Sequence, residues 1–426
     1  MSAIDLHARA RTLDAGDVLA PFRERFALPP HIDGNASVYL CGHSLGLAPL
    51  AARQLINEEL DDWNQLAVLG HHVSRRPWID YAEQLRPALA QLMGAHAGEV
   101  VAMNSLTINL HLLMASFYQP LGKRRCIVVE QGAFSSDRHA VVSQMEWHGL
   151  SAADALIEIA PVSGTDLVDE SAVEQLLAER GAEVALVLWP GVQFRTGQAF
   201  DLGRIARAAR LAGATCGFDL AHAAGNMPLQ LHADGADFAV WCSYKYLNGG
   251  PGAIGGAFVH ERHQRAALPG LAGWWGHEAA SRFRMEPGFV PEVGAAAWQV
   301  SNPPILSTAP LLASLRLFES AGLAALRAKS LQMTELLLQQ FDSRFSAQLQ
   351  CITPRQESRR GCQLSLRLRA GREAGRLVFE DLGASGIVAD WREPDILRIA
   401  PVPLYNRYAE LAVFCDVLEV ALRRHA

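Results

Sequence analysis

From residue 126 to residue 259, short apolar and largely β-branched runs alternate with stretches of helical periodicity. The apolar runs cover 126–130, 156–159, 184–189, 215–219, 238–243 and 257–259, with helices expected around 137–148, 168–180 and 201–212. Strands separated by helices of that length imply a mostly parallel sheet covered on both faces, an α/β architecture. Two helical patterns precede the sheet, at 49–66 and 78–93. A long helical stretch, 308–345, follows it; strands at 362–368, 388–391 and 396–399 then mix with helices at 372–382 and 406–424. The expected organisation is a large domain at 71–307, a smaller α+β domain at 308–426, and an N-terminal segment, 1–70, packed on the smaller one.

Composition removes several classes of function. The chain has 426 residues, half of them apolar and 19% charged, as in an ordinary globular protein. Its net charge is −6, and the basic pairs Arg75-Arg76, Arg124-Arg125 and Arg359-Arg360 are too short to make a nucleic-acid surface. The seven cysteines are odd in number, form no C-x-x-C pair and show no zinc-like spacing. They read as buried thiols of a reducing compartment, and no metal is expected. No apolar run approaches the roughly 18 residues of a membrane helix, and the first 17 residues hold no signal-peptide core. A cytoplasmic protein with neither membrane nor nucleic acid as partner is expected.

Within this frame one lysine stands apart. Lys245 lies in Phe238-Ala239-Val240-Trp241-Cys242-Ser243-Tyr244-Lys245-Tyr246-Leu247-Asn248-Gly249-Gly250, where an apolar run ends in a polar cluster and a glycine-rich loop follows. Ligands of open α/β sheets bind beyond the carboxyl ends of the strands. Burial favours a neutral lysine amine, and the neutral amine is the form that condenses with a carbonyl. The run Thr215-Cys216-Gly217-Phe218-Asp219 supplies a second strand, ending in a carboxylate. A Schiff-base lysine with an aspartate on a nearby strand is the minimal signature of a pyridoxal phosphate (PLP) enzyme.

The other parts such a cofactor needs can be sought in turn. Asn104-Ser105-Leu106-Thr107 precedes a helical run at 108–117, and free N–H groups with a hydroxyl at a helix start suit a phosphate. Gly132-Ala133-Phe134-Ser135-Ser136-Asp137 follows a strand, so Phe134 is placed to lie over a pyridine ring with Ser136 and Asp137 near the next helix start. Asp219 suits the ring nitrogen, and His222 supports the ring or that carboxylate. Arg398, inside the apolar run 395–401, suits a substrate carboxylate, with a structural ion pair as its competitor. Taken singly, each has a plainer reading as a helix cap, a loop, a turn aspartate or a core histidine.

Several longer motifs, in order from about residue 39 to residue 406, resemble those of the kynureninase family. They are Trp241-Cys242-Ser243-Tyr244-Lys245-Tyr246-Leu247-Asn248, Gly217-Phe218-Asp219-Leu220-Ala221-His222-Ala223-Ala224-Gly225-Asn226, Gly273-Trp274-Trp275-Gly276-His277, Ser301-Asn302-Pro303-Pro304-Ile305-Leu306 and Arg398-Ile399-Ala400-Pro401-Val402-Pro403-Leu404-Tyr405-Asn406. The resemblance implies a PLP-dependent transferase-like fold of type I and a homodimer. It also implies hydrolysis of L-kynurenine, extending to 3-hydroxy-L-kynurenine, to anthranilate or 3-hydroxyanthranilate and L-alanine in tryptophan catabolism.

It assigns residues as well. Lys245 becomes the Schiff-base lysine, Asp219 the ring-nitrogen partner and Phe134 the stacking face. Leu106, Thr107, Ser135, Ser136, Asp137, His222 and Tyr244 complete the cofactor pocket, with Tyr244 also the expected proton donor. Trp274 and Asn302 come to the site near the dimer interface, Arg398 holds the substrate α-carboxylate, and His71 and Asn302 face the substrate's aromatic ring.

Two positions depart from the family pattern. His43 stands where an asparagine is frequent, and Pro190 where a small hydroxyl residue is common, which leaves Pro190 outside the expected site. The rivals are an aminotransferase, a cysteine desulfurase using Cys351 or Cys362, and a PLP-binding regulator. Cys362 opens an apolar strand pattern and is expected to be buried, and a regulator needs an added DNA-binding module for which the chain has no spare domain.

Overall fold

A computed structural model describes residues 3–264 and 268–425. Seven strands form the central sheet: β1 (Val100–Ala102), β2 (Cys126–Glu130), β3 (Leu156–Ile159), β4 (Val184–Pro190), β5 (Thr215–Asp219), β6 (Phe238–Trp241) and β7 (Gly256–Val259). Their order is β1-β7-β6-β5-β4-β2-β3. β2 to β6 run parallel, and β7 is antiparallel to both its neighbours. The α/β fold with a mostly parallel sheet is thus observed, with β1 added; three residues are too few for a strand period to stand out from the helical pattern before them.

Period-two alternation sends successive side chains to opposite faces. Ile127, Val129, Leu186, Leu188, Phe238 and Val240 enter one hydrophobic core, which the helices Leu106–Phe117 and Ser135–Trp147 cover. Val128, Val187, Trp189, Phe218, Ala239 and Trp241 enter the other, under Glu170–Arg180 and Leu202–Leu211. Burial on both faces explains why these strands read as continuous apolar runs.

The expected long helix at 308–345 is two helices, Ile305–Ala321 and Leu323–Arg344, meeting at 84°. Gly322 makes the break with φ +76°, a conformation that side chains other than glycine's resist. The first helix packs into the core of the central sheet and against Leu50–Leu66; the second enters a separate C-terminal core. That core lies on a four-stranded antiparallel sheet ordered Asp390–Arg392, Ile396–Ile399, Leu364–Leu368 and Leu349–Cys351. Helix Ala3–Ala15 packs on Tyr408–His425 and contributes Leu6 and Ala10 to it.

Two further elements differ from expectation. The helical pattern at 78–93 divides into a 3-10 segment, Trp78–Leu85, and an α-helix, Arg86–Met93. Pro87 lacks the N–H that an unbroken helix would donate to the Glu83 carbonyl. The expected strand at 388–391 resolves into Ile387–Val388, paired with Val38–Tyr39, and Asp390–Arg392, paired with Ile396–Ile399. Among the described residues no single helix is long and apolar enough to cross a membrane.

Candidate active site

β2, β4 and β5 end, at the same edge of the sheet, in Glu130, Pro190 and Asp219. Pro190 lies in register with Asp219, and Asp219 with Val240 of β6. The loop leaving β6 carries Lys245 back over this edge, where Lys245, Glu130 and Asp219 line one cleft. Two features hold that loop. Gly46 donates its N–H to the Tyr244 carbonyl at 2.8 Å, and a Cβ on Gly46 would lie 2.3 Å from the Lys245 carbonyl oxygen, so only glycine allows the approach. Asn248 turns the chain with φ +51° and donates to the Tyr246 carbonyl at 3.0 Å.

Around Lys245 the geometry is close. Its Nζ lies 3.1 Å from His222 Nε2, 5.9 Å from the Phe134 ring centre and 5.8 Å from that of Tyr244. Burial, reinforced by Lys245, keeps His222 neutral. Burial likewise raises the Tyr244 phenol well above its ordinary range, so it stays protonated.

Three carboxyl groups share this small volume. Asp219 Oδ1 accepts the Ala221 N–H at 2.6 Å. Burial, then the Asp219 charge, pushes Asp137 well above the usual carboxylate range. Burial also pushes Glu130 up to about 8, with Asp219 adding to the effect, while Gln193 Nε2 donates to Glu130 Oε1 at 3.2 Å. Asp137 Oδ1 and Glu130 Oε2 are buried with no partner among the described residues. Unpaired buried carboxyl oxygens are costly, and they cluster where a ligand supplies the missing partner.

At the other end of the cleft the helices Leu106–Phe117 and Ser135–Trp147 begin, and no side chain caps either N-terminus. Thr107 Oγ1 and Ser136 Oγ meet at 2.9 Å between them. Free N–H groups with two hydroxyls form an anion cradle. Phosphate cradle, aromatic face, unpartnered carboxyl and lysine together match what PLP requires of a protein.

Of the residues expected at the site, Leu106, Thr107, Phe134, Ser136, Asp137, Asp219, His222, Tyr244 and Lys245 line this cleft. Ser135 opens the adjacent helix without lining it. Pro190 requires a correction: it forms part of the wall, because β4 ends there in register with Asp219. Its contact is apolar in place of a hydroxyl. Glu130, Trp189 and Phe194 line the cleft too, and sequence reasoning had missed them. The signal for Glu130 was available, since it ends its strand as Asp219 does.

Four expected residues lie elsewhere in the single chain. Arg398 is buried in an ion pair: its Nε meets Asp390 Oδ2 at 2.7 Å, its Nη2 the same oxygen, and its Nη1 donates to the Phe194 carbonyl at 2.6 Å. Burial lowers this guanidinium to about 10. His71 is exposed, edge-on to Trp78. Trp274 and Asn302 are exposed outside the cleft, with Trp274 Nε1 donating to the Arg282 carbonyl at 3.3 Å. His43 is fully buried, with neither ring nitrogen hydrogen-bonded among the described residues and Nε2 3.5 Å from Asp390 Oδ2.

Residues 326–418 match the family model for the kynureninase C-terminal domain. The chain is 56% identical, over 97% of its length and 97% of the relative's, to a kynureninase of Xanthomonas euvesicatoria pv. vesicatoria (strain 85-10). Its identity to the kynureninase of Xanthomonas oryzae pv. oryzae (strain PXO99A) is 55%, again over 97% of each chain. Among solved structures, the cysteine desulfurase CsdA from Escherichia coli superposes with a TM-score of 0.77 at 19% identity, covering 96% of this chain and 99% of that one. A C-DES mutant with glycine covalently linked to its PLP cofactor gives 0.75 at 18% identity, covering 90% and 96%. At such identities the two structures speak for the fold alone, which is that of type I PLP enzymes. The length and level of the sequence identity carry the conclusion: the chain belongs to the kynureninase family.

Proposed function

We propose that this protein uses PLP to hydrolyse L-kynurenine to anthranilate and L-alanine. The observation that carries the reading is Lys245, set among three buried carboxyl groups and an uncapped anion cradle in one cleft. The chain has three lysines; Lys329 is tied up by Asp17 and the Pro403 carbonyl, and Lys123 is exposed outside the cleft. Lys245 is therefore the amine for the cofactor aldehyde. Thr107, Ser136 and the first-turn N–H groups of both helices would hold the phosphate, Phe134 would take the ring, and Asp219 with Asp137 would serve its nitrogen. Bound there, the cofactor draws electrons away from the substrate's α-carbon.

The side chains then divide the proton work. Lys245 Nζ, held by neutral His222, takes the α-proton. Tyr244, kept protonated by burial, donates to the carbon released when the bond to the aryl ketone is hydrolysed. Arg398 receives the substrate α-carboxylate, which exchanges for that of Asp390 on the guanidinium. The reading extends to a homodimer in which Trp274, Asn302 and His71 reach the partner's cleft. It is supported by the exposed apolar side chains of Trp274, Phe283, Phe289 and Val293 on one segment. His71 and Asn302 then face the aryl ring and bear on 3-hydroxy-L-kynurenine, and the cytoplasm is the proposed compartment.

The desulfurase alternative needs an ionisable exposed thiol. Burial instead raises both Cys351 and Cys362, the latter to about 12. The test is to incubate holoprotein with L-kynurenine. Anthranilate fluorescence with an equal yield of alanine is expected; amino-group transfer to a keto acid, or no anthranilate, would overturn the proposal.

A further inference from the structure

We infer that His96, Glu99, His232 and Glu261 form a site for one divalent ion of the Zn²⁺ class, at the edge of the central sheet remote from the PLP cleft. The four residues come from three segments: the turn before β1, the short helix Leu231–Asp234, and the 3-10 turn Glu261–His263 after β7. β1 starts and β7 ends at this edge, because the two strands are antiparallel. One donor atom from each residue lies within 4.8 Å of the others.

Glu99 is the centre of the cluster and is wholly buried. Two backbone N–H groups orient it, from Glu261 to Oε1 at 2.8 Å and from His96 to Oε2 at 2.9 Å. His232 Nδ1 meets Oε1 and Oε2 at 2.9 and 3.1 Å, and His260 Nδ1 lies 3.4 Å from Oε1. His96 Nδ1 meets Glu261 Oε2 at 3.1 Å in the same way. Each imidazole therefore presents Nδ1 to a carboxylate, along the line where a metal bond would lie. The two rings lie with centroids 4.0 Å apart and planes tilted by 30°.

The donor set decides the class of ion. Two imidazoles with two carboxylates suit Zn²⁺, Ni²⁺ or Cu²⁺ over Mg²⁺ or Ca²⁺, and four donors match a closed tetrahedral zinc site. The backbone N–H groups on Glu99 act as the outer support that structural sites use. Exposed His96 and Glu261 leave the way in open from solvent. His260, whose Nδ1 accepts the Arg262 N–H at 3.3 Å, stands beside Glu99 outside the four-donor cluster. Bound metal would tie the start of β1 to the end of β7 and to the 231–234 helix.

Holoenzyme stripped of metal by chelator, titrated with ZnSO₄ by calorimetry, tests the inference. One Zn²⁺ per chain is expected, with no comparable uptake of Mg²⁺. His96→Ala and His232→Ala should each weaken Zn²⁺ by at least about 10-fold. The Cu²⁺ form should show nitrogen coupling from two imidazoles in its electron paramagnetic resonance spectrum, and from one in either variant. His96 is exposed, so His96→Ala keeps the fold and kynurenine turnover even where loss of the Glu99 partner in His232→Ala does not. Absence of saturable Zn²⁺ binding, or binding unchanged in His96→Ala, would overturn the proposal.

Discussion

The two ends of the central sheet bury the same residue types and treat them in opposite ways. At the carboxyl ends of the parallel strands, Glu130 and Asp137 each keep a buried oxygen without a partner, and both are pushed above the ordinary carboxylate range, chiefly by burial. At the other end Asp237 is fully engaged: Arg262 Nη2 at 2.6 Å, His263 Nε2 at 2.7 Å and the Cys216 N–H at 2.7 Å all meet it. Burial raises that carboxyl, but the His263 and Arg262 contacts outweigh burial and hold it below the ordinary range. Asp237 is electrostatically complete within the protein, whereas Glu130 and Asp137 are not. Arg195 and Arg367 likewise pair with both Asp166 and Asp395.

Substitution separates the two ends. The largest effect is expected at Lys245: Lys245→Ala should reduce anthranilate formation to background, with circular dichroism unchanged and the visible band of the bound cofactor lost. Asp219→Ala follows, with weak PLP binding and slow turnover but a fold at least as stable as wild type without cofactor. Asp237→Ala should do the reverse, costing about 1–3 kcal/mol in urea unfolding while the surviving folded protein keeps its kcat. If both variants lost activity and stability alike, the contrast between the ends would be wrong.

The pH dependence sharpens the same contrast. In cofactor-free protein, Glu130 has a folded value of about 8 against an ordinary 4.5, so the folded state holds the proton more tightly. Its contribution to stability is fully present below 4.5 and is lost as pH rises to about 8. Glu130→Gln should therefore flatten a fall in the urea midpoint across that window. Asp237, held below 3.8, has the opposite sign: its contribution is present above 3.8 and disappears as pH falls through the folded value. The smallest effect is expected at Asn302, where Asn302→Ala should change the ratio of kcat/KM for 3-hydroxykynurenine and kynurenine. An unchanged ratio would remove Asn302 from contact with the aryl ring.

Much of the sheet was legible because its strands are buried on both faces and end in charged or small residues, as at Glu130 and Asp219. Short-range features were not. Val100–Ala102 is too brief to show a period, and the break at Gly322 depends on a φ that any glycine could adopt but few use in a helix. At the site, Lys245 and Asp219 announced themselves through their settings, whereas Glu130 looked like any charged strand end until the fold brought it beside Asp219. Arg398 was ambiguous for a physical reason: a guanidinium on an apolar strand fits a substrate carboxylate and an Asp390 carboxylate equally well. The cluster of His96, Glu99, His232 and Glu261 was hidden because its members lie up to 165 residues apart along the chain and meet only across β1 and β7.

Borohydride reduction of the holoprotein, followed by digestion and mass spectrometry, puts the lysine at the centre of this account to the test. With three lysines in the chain, the outcome is unambiguous. The pyridoxyl mark is expected on the peptide carrying Lys245; a mark on Lys123 or Lys329, or on none of the three, would contradict the account.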